Sequence, residues 1–114
     1  ILVTDDSQMN RRLLIRVLEQ INSNYRIQEA KNGQEAFDLV DKNSFDLIFM
    51  DYHMPGQTGN EVIDTLLTKG YQGNIVLLTG LMKEEIIKQT KAHAVLIKPV
   101  TRELMEAFLN THLA

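Results

Sequence analysis

Phe45-Asp46-Leu47-Ile48-Phe49-Met50-Asp51 sets four consecutive apolar side chains in front of a single carboxylate. A run with no polar face has to be covered on both sides, which is the pattern of a central strand in a parallel sheet. Working outward, three more runs share this build: Ile1-Leu2-Val3-Thr4 ahead of Asp5-Asp6, Ile75-Val76-Leu77-Leu78 ahead of Thr79, and Val95-Leu96-Ile97 ahead of Lys98. Parallel strands deliver their C-terminal ends to one edge of a sheet, so carboxylates, hydroxyl and ammonium are expected to meet there.

Three crowded carboxylates repel one another and drive at least one pKa upward unless a divalent ion or Lys98 offsets them. Oxygen donors select a hard ion. Mg²⁺ suits the set because it binds through one or two carboxylates and keeps positions open for phosphate oxygens. The chemistry indicated is phosphoryl transfer.

With 114 residues, 44% of them hydrophobic, the chain reads as one domain, residues 1–114, with a sizeable core. A net charge of −3 argues against a nucleic-acid-binding surface, which needs a basic stripe, so no direct nucleic-acid contact is expected. The lack of cysteine excludes disulfides and thiolate metal sites, and it permits a reducing cytosol without requiring one. The apolar runs are too short to span a membrane, and no membrane contact by this domain is expected. Because Ile1 already lies in a strand-like run, neighbouring domains are expected.

Between the apolar runs the periodicity is helical, giving the order βαβαβαβαβα. Ser7 can cap a first helix that buries Leu14, Leu18 and Ile21, with Leu13 and Val17 widening the stripe. Residues Tyr25 to Ala30 alternate in polarity, as an edge strand does, and Asn32-Gly33 is read as a turn. A second helix carries Ala36, Phe37 and Val40 inward and stops near Asn43-Ser44. Thr58 and Glu61 have capping-box spacing ahead of a third helix that buries Val62, Ile63, Leu66 and Leu67, and Gly70 closes it. A short fourth helix has Glu84 and Glu85 early and Lys88 and Lys91 late, in keeping with the helix dipole. The last helix runs from Thr101 with Leu104, Ala107 and Phe108 inward. Such alternation makes an α/β doubly wound parallel sheet with helices on both faces and its functional edge at the C-terminal strand ends.

Taken with Met54-Pro55-Gly56 and Gly59 beyond Asp51, Thr79-Gly80, and Lys98-Pro99, these strand-end residues resemble a response-regulator receiver domain over essentially the whole chain. The resemblance implies the five-stranded (βα)5 flavodoxin-like fold with strand order 2-1-3-4-5. It implies that Asp51 accepts a phosphoryl group from a kinase phosphohistidine. Asp6, Asp51 and the backbone carbonyl of His53 would ligate Mg²⁺, or Mn²⁺ in its place, and Asp5 would act mainly through a metal-bound water. Thr79 and Lys98 would contact phosphoryl oxygens, and the Lys98-Pro99 bond would be cis. The implied partner is a sensor histidine kinase or a histidine phosphotransfer protein, with a covalently linked kinase or output domain as context. The Asp5-Asp6-Ser7 start with Asn10-Arg11 and Leu13-Leu14 is similar to receivers of hybrid sensor kinases.

Each motif alone has a blander reading: Asp6 and Ser7 as helix caps, Asp51 and Thr79-Gly80 as turn residues, Lys98-Pro99 as an exposed strand end. Their joint order outweighs those readings. His53, His93 and His112 lack a second ligand at metal-binding spacing and are read as surface or loop side chains. The five methionines are scattered and read as core filler. One position departs from the family pattern: Val95 stands where a switching tyrosine or phenylalanine is usual, so phosphorylation should perturb Thr79-Gly80-Leu81 more than the face built by the last strand. Two other classes stay open. A phosphatase of the haloacid dehalogenase type also uses an aspartyl phosphate and Mg²⁺, but wants its nucleophile after the first strand in an Asp-x-Asp pattern. A phosphorylation-independent interaction module would need none of these groups. The domain is not expected to be a stand-alone enzyme.

Overall fold

The computed structural model describes residues 1–80 and 83–112; Leu81 and the final two residues of the expected domain lie outside the described residues. The chain alternates β1 (Leu2–Thr4), α1 (Gln8–Ile21), β2 (Gln28–Ala30), α2 (Gly33–Lys42), β3 (Leu47–Asp51), α3 (Gly59–Thr68), β4 (Asn74–Thr79), α4 (Glu84–Gln89), β5 (Ala94–Ile97) and α5 (Arg102–His112). All strand pairings are parallel and the order is β2-β1-β3-β4-β5. The run at residues 47–51 is thus the central strand, buried at every position.

Alternation along β3 divides the core, because successive side chains of a strand point to opposite faces. Ile48 and Met50 join Val62, Ile63 and Leu66 of α3, Ala36 of α2 and Ile86 of α4 in one cluster. Leu47 and Phe49 join Leu14 and Leu18 of α1 and Met105, Phe108 and Leu109 of α5 in the other. Each of the larger side chains taken from water contributes about 1.5–3 kcal/mol, and a sheet covered on both faces leaves only its strand ends for chemistry.

The helix starts follow the cap residues. Ser7 and Asn32 accept from the amides of Asn10 and Glu35, and Thr58 and Glu61 form a reciprocal capping box. Asn32-Gly33 therefore opens α2 directly and does not make a separate turn. Gly70, at φ +97°, follows α3 in the left-handed conformation that glycine adopts without strain. No helix among the described residues is long and apolar enough to cross a membrane.

Several expectations are corrected. The inward face of α5 is Met105, Phe108 and Leu109, while Leu104 and Ala107 are exposed. Both sets share Phe108 and helical spacing, but burying Met105 and Leu109 removes more apolar surface from water than burying Leu104 and Ala107. Leu13 is also exposed; Val17 and Ile21 flank the α1 stripe as expected, and Ile15 joins them. The edge strand β2 is only three residues long. Tyr25 and Ile27 pack against the second core cluster after a turn in which the Asn24 amide donates to the Asn22 side chain. Helix α4 ends at Gln89, so Lys91 lies beyond it, 4.0 Å from Asp64 of α3.

Candidate functional site

Strand register brings the expected residues to one edge. Asp51 ends β3 opposite Leu78, and Thr79 ends β4 opposite Ile97, one residue before Lys98. The Lys98 amide donates to the Thr79 carbonyl at 2.9 Å, locking the last two strand ends together. Asp5 follows β1 and gives its amide to the Ala30 carbonyl of β2. Asp5, Asp51 and Thr79 are buried, and Asp6 is exposed at the rim.

Carboxylate oxygens of Asp5, Asp6 and Asp51 lie within 4.8 Å of one another. Lys98 Nζ is 3.1 Å from Asp5 Oδ2 and also contacts Asp51 Oδ1. Asp5 Oδ1 accepts from the Ser7 amide at 2.9 Å, so the residue that caps α1 also orients an acid. Among the described residues, one ammonium thus faces three carboxylates.

The charge imbalance shows in the titration of the pair. Burial pushes the Asp51 carboxyl above its ordinary value; the Lys98 hydrogen bond opposes this, and the charges of Asp5 and Asp6 add to it. For Lys98, burial would lower the pKa, but hydrogen bonds and charge from Asp51 and Asp5 outweigh it and raise the ammonium. The two directions agree physically: the lysine gains two partners, whereas Asp51 shares one lysine with competing acids. A carboxyl raised on folding contributes stability below its unfolded pKa and loses that contribution as pH rises through its folded value. Ionised Asp51 therefore destabilises the metal-free fold at neutral pH, while Lys98 would keep Asp5 as a partner if the Asp51 charge were removed. Asp51→Asn is expected to stabilise the metal-free protein by on the order of 1 kcal/mol, a rise of several degrees in melting temperature. Thermal denaturation in a chelator checks this, and a lowered melting temperature would show that Lys98 already stabilises the ionised form.

The turn after β3 is held by backbone. His53 pairs with Thr58 in an isolated antiparallel bridge, and the Gly59 amide donates to the Tyr52 carbonyl at 2.8 Å. A Cβ on Gly59 would lie 2.4 Å from the Asp51 carbonyl oxygen and 2.9 Å from Tyr52 Cα. Gly59, which counted only as a motif residue in the sequence, lets α3 start against the end of the central strand. The His53 ring meets Tyr52 edge-on and is exposed. His93 is exposed but structural, since its Nδ1 accepts from the Ile75 amide. His112 ends α5, its side chain outside the described ones.

The Lys98-Pro99 bond is cis. Val95 lies half-buried in β5 beside Leu77, packed on the first core cluster. The donor set fits Mg²⁺: the candidate ligand atoms are all carboxylate oxygens, with Asp5 and Asp51 buried beside Lys98 and Asp6 exposed.

A family model for the response regulator receiver domain matches residues 1–110. The transcriptional regulatory protein SrrA of Staphylococcus aureus is 38% identical over 84 residues, 74% of this chain and 34% of SrrA. The chain thus spans about a third of that relative's length. The solved structure of Vibrio cholerae chemotaxis protein CheY4 matches with a TM-score of 0.87 at 28% identity, covering 97% of this chain and 95% of that one. Response regulator TrrA of Thermotoga maritima, solved in complex with Mg²⁺-BeF, matches with a TM-score of 0.84 at 28% identity, covering 96% and 95%.

Proposed function

This chain belongs to the response-regulator receiver family of two-component signalling, and on that premise we propose that Asp51 is the residue that takes up the phosphoryl group. The observation that carries this is the contact of Lys98 with Asp51 on the floor of the acidic cluster. One Asp51 carboxylate oxygen attacks the phosphorus of a phosphohistidine; the O–P bond forms as the P–N bond breaks, and the electron pair leaves on the imidazole nitrogen. A carboxylate is a weak nucleophile, but phosphoryl transfer has a loose transition state in which positioning and charge neutralisation carry most of the catalysis. Lys98 can follow the charge from the carboxylate onto a phosphoryl oxygen as a compact cation. Thr79, at the adjacent strand end, offers its hydroxyl to a second oxygen. Mg²⁺, or Mn²⁺ in its place, would be held by Asp6, Asp51 and the His53 carbonyl, with Asp5 acting through water, and would neutralise charge on the phosphoryl oxygens.

The donor is a sensor histidine kinase or a histidine phosphotransfer protein in the cytoplasm, and a linked kinase or output domain is the context. Val95 favours a relay role, because an aliphatic side chain cannot exchange a ring between buried and exposed positions. Incubation with acetyl phosphate and Mg²⁺ followed by intact-mass measurement tests the reading. One persistent phosphoryl addition supports it. Turnover of acetyl phosphate without accumulation points to a phosphatase, and an unchanged mass to an inert module.

Asp6→Ala is expected to abolish Mg²⁺ binding measurable by isothermal titration while leaving the fold intact, since the Asp6 side chain is exposed. Unchanged affinity would remove Asp6 from the ligand set.

A further inference from the structure

We propose that Arg11 is a positioning residue of this site, holding the Asp5-Asp6 peptide so that Asp6 presents its carboxylate to the divalent ion; the proposal rests on the receiver reading above. Arg11 sits in the first turns of α1, its amide bonded to the Ser7 carbonyl at 3.0 Å. Its side chain is 12% exposed, unusual for a cation on a surface helix. Nη1 donates to the Asp5 backbone carbonyl at 2.7 Å, and Nε donates to Glu29 Oε1 on β2 at 2.9 Å. The guanidinium therefore approaches the acidic loop, yet among the described residues its one carboxylate partner is Glu29, not an aspartate of the cluster.

Every polar group of Asp5 already has a protein partner. Its amide binds the Ala30 carbonyl, its two side-chain oxygens take the Ser7 amide and Lys98, and its carbonyl takes Arg11. Asp6 has an exposed side chain and depends for its direction on the peptide plane that Arg11 grips. A guanidinium is suited to this, since its rigid fork can hold a carbonyl and a carboxylate at once.

Charge and positioning predict opposite signs. Removing a nearby positive charge should tighten Mg²⁺ binding if Arg11 acts only through its field. If it acts by positioning, removal should weaken binding by about tenfold, the low end of the effect of lost outer contacts at metal sites. Arg11→Ala, Arg11→Lys and Glu29→Gln are compared with the wild-type chain by Mg²⁺ titration, and by hydrogen exchange of the Asp6 and Ser7 amides without metal. The expected result is about tenfold weaker binding and faster exchange for Arg11→Ala, recovery towards wild type for Arg11→Lys, and an intermediate loss for Glu29→Gln. Glu29→Gln removes a negative charge and would weaken Mg²⁺ binding through its field as well, so in that variant faster exchange of the Asp6 and Ser7 amides is the readout that tests positioning if Arg11→Ala does not fold. Unchanged or tighter binding in Arg11→Ala, or unchanged exchange of the Asp6 and Ser7 amides in Glu29→Gln where that variant alone folds, overturns the positioning role alone. A wild-type chain that binds no Mg²⁺ and accepts no phosphoryl group overturns the functional reading and this proposal together.

Discussion

Lys98→Ala is expected to slow phosphoryl uptake from acetyl phosphate by about 100-fold or more, the scale of losing one preorganised charge-stabilising group, and to lower the stability of the metal-free protein. The second effect follows from what stays behind. Asp5 and Asp51 have side chains only 5% exposed, and removing one partner of a buried pair leaves uncompensated charge at a cost of about 3 kcal/mol. The Lys98 side chain is 26% exposed, which puts the cost at the low end of the usual range, yet it still corresponds to a fall of roughly 10 °C or more in melting temperature. The loss should shrink as pH falls, because the Asp51 carboxyl is already raised by burial and by Asp5 and Asp6 and would take up a proton more readily without the ammonium. Combining Lys98→Ala with Asp51→Asn should recover part of the lost stability but none of the uptake, since the two groups are in contact and their effects do not add. An unchanged melting temperature at neutral pH would mean that water, not Lys98, already screens the acids.

Gly59→Ala should destabilise the protein by about 3 kcal/mol, the upper end of overpacking effects. In an exposed helix the same change would gain roughly 1 kcal/mol. The sign reverses because a Cβ here would meet the Asp51 carbonyl and Tyr52 Cα. These are backbone atoms at the end of the central strand, with no flexible side chain that could move aside. The strand end must shift or α3 must start farther away, and either displaces Asp51. Phosphoryl uptake should therefore fall together with the melting temperature measured by thermal denaturation. A variant with wild-type stability would show that the turn after β3 yields without strain.

Much of this site was legible in the sequence because strand ends in a parallel sheet converge whatever the helices do. Four apolar runs and the polar residues behind them placed Asp5, Asp51, Thr79 and Lys98 together, and the caps Ser7 and Thr58 fixed two helix starts. The inward face of α5 was not legible, because Leu104, Ala107 and Phe108 have the same spacing as Met105, Phe108 and Leu109, and only three-dimensional packing separates them. Leu13 was misplaced for a related reason: it adjoins the buried stripe in sequence but points off it. The contribution of Gly59 depends on an approach between two backbones, which no pattern of side chains encodes. The grip of Arg11 on the Asp5 carbonyl is likewise a side-chain-to-backbone contact, invisible to charge pairing. The shared attachment of Lys98 to Asp5 and Asp51 could be anticipated as charge compensation, but not its division between the two acids.

The most direct test is to locate the phosphoryl group itself. After incubation with acetyl phosphate and Mg²⁺, borohydride reduction converts an acyl phosphate of aspartate to homoserine, and peptide mass mapping then identifies the residue. Homoserine at position 51, lost in Asp51→Asn, is the expected result. Homoserine at position 5 or 6, or stable labelling of Asp51→Asn at another residue, would contradict the assignment of Asp51 as the phosphoacceptor.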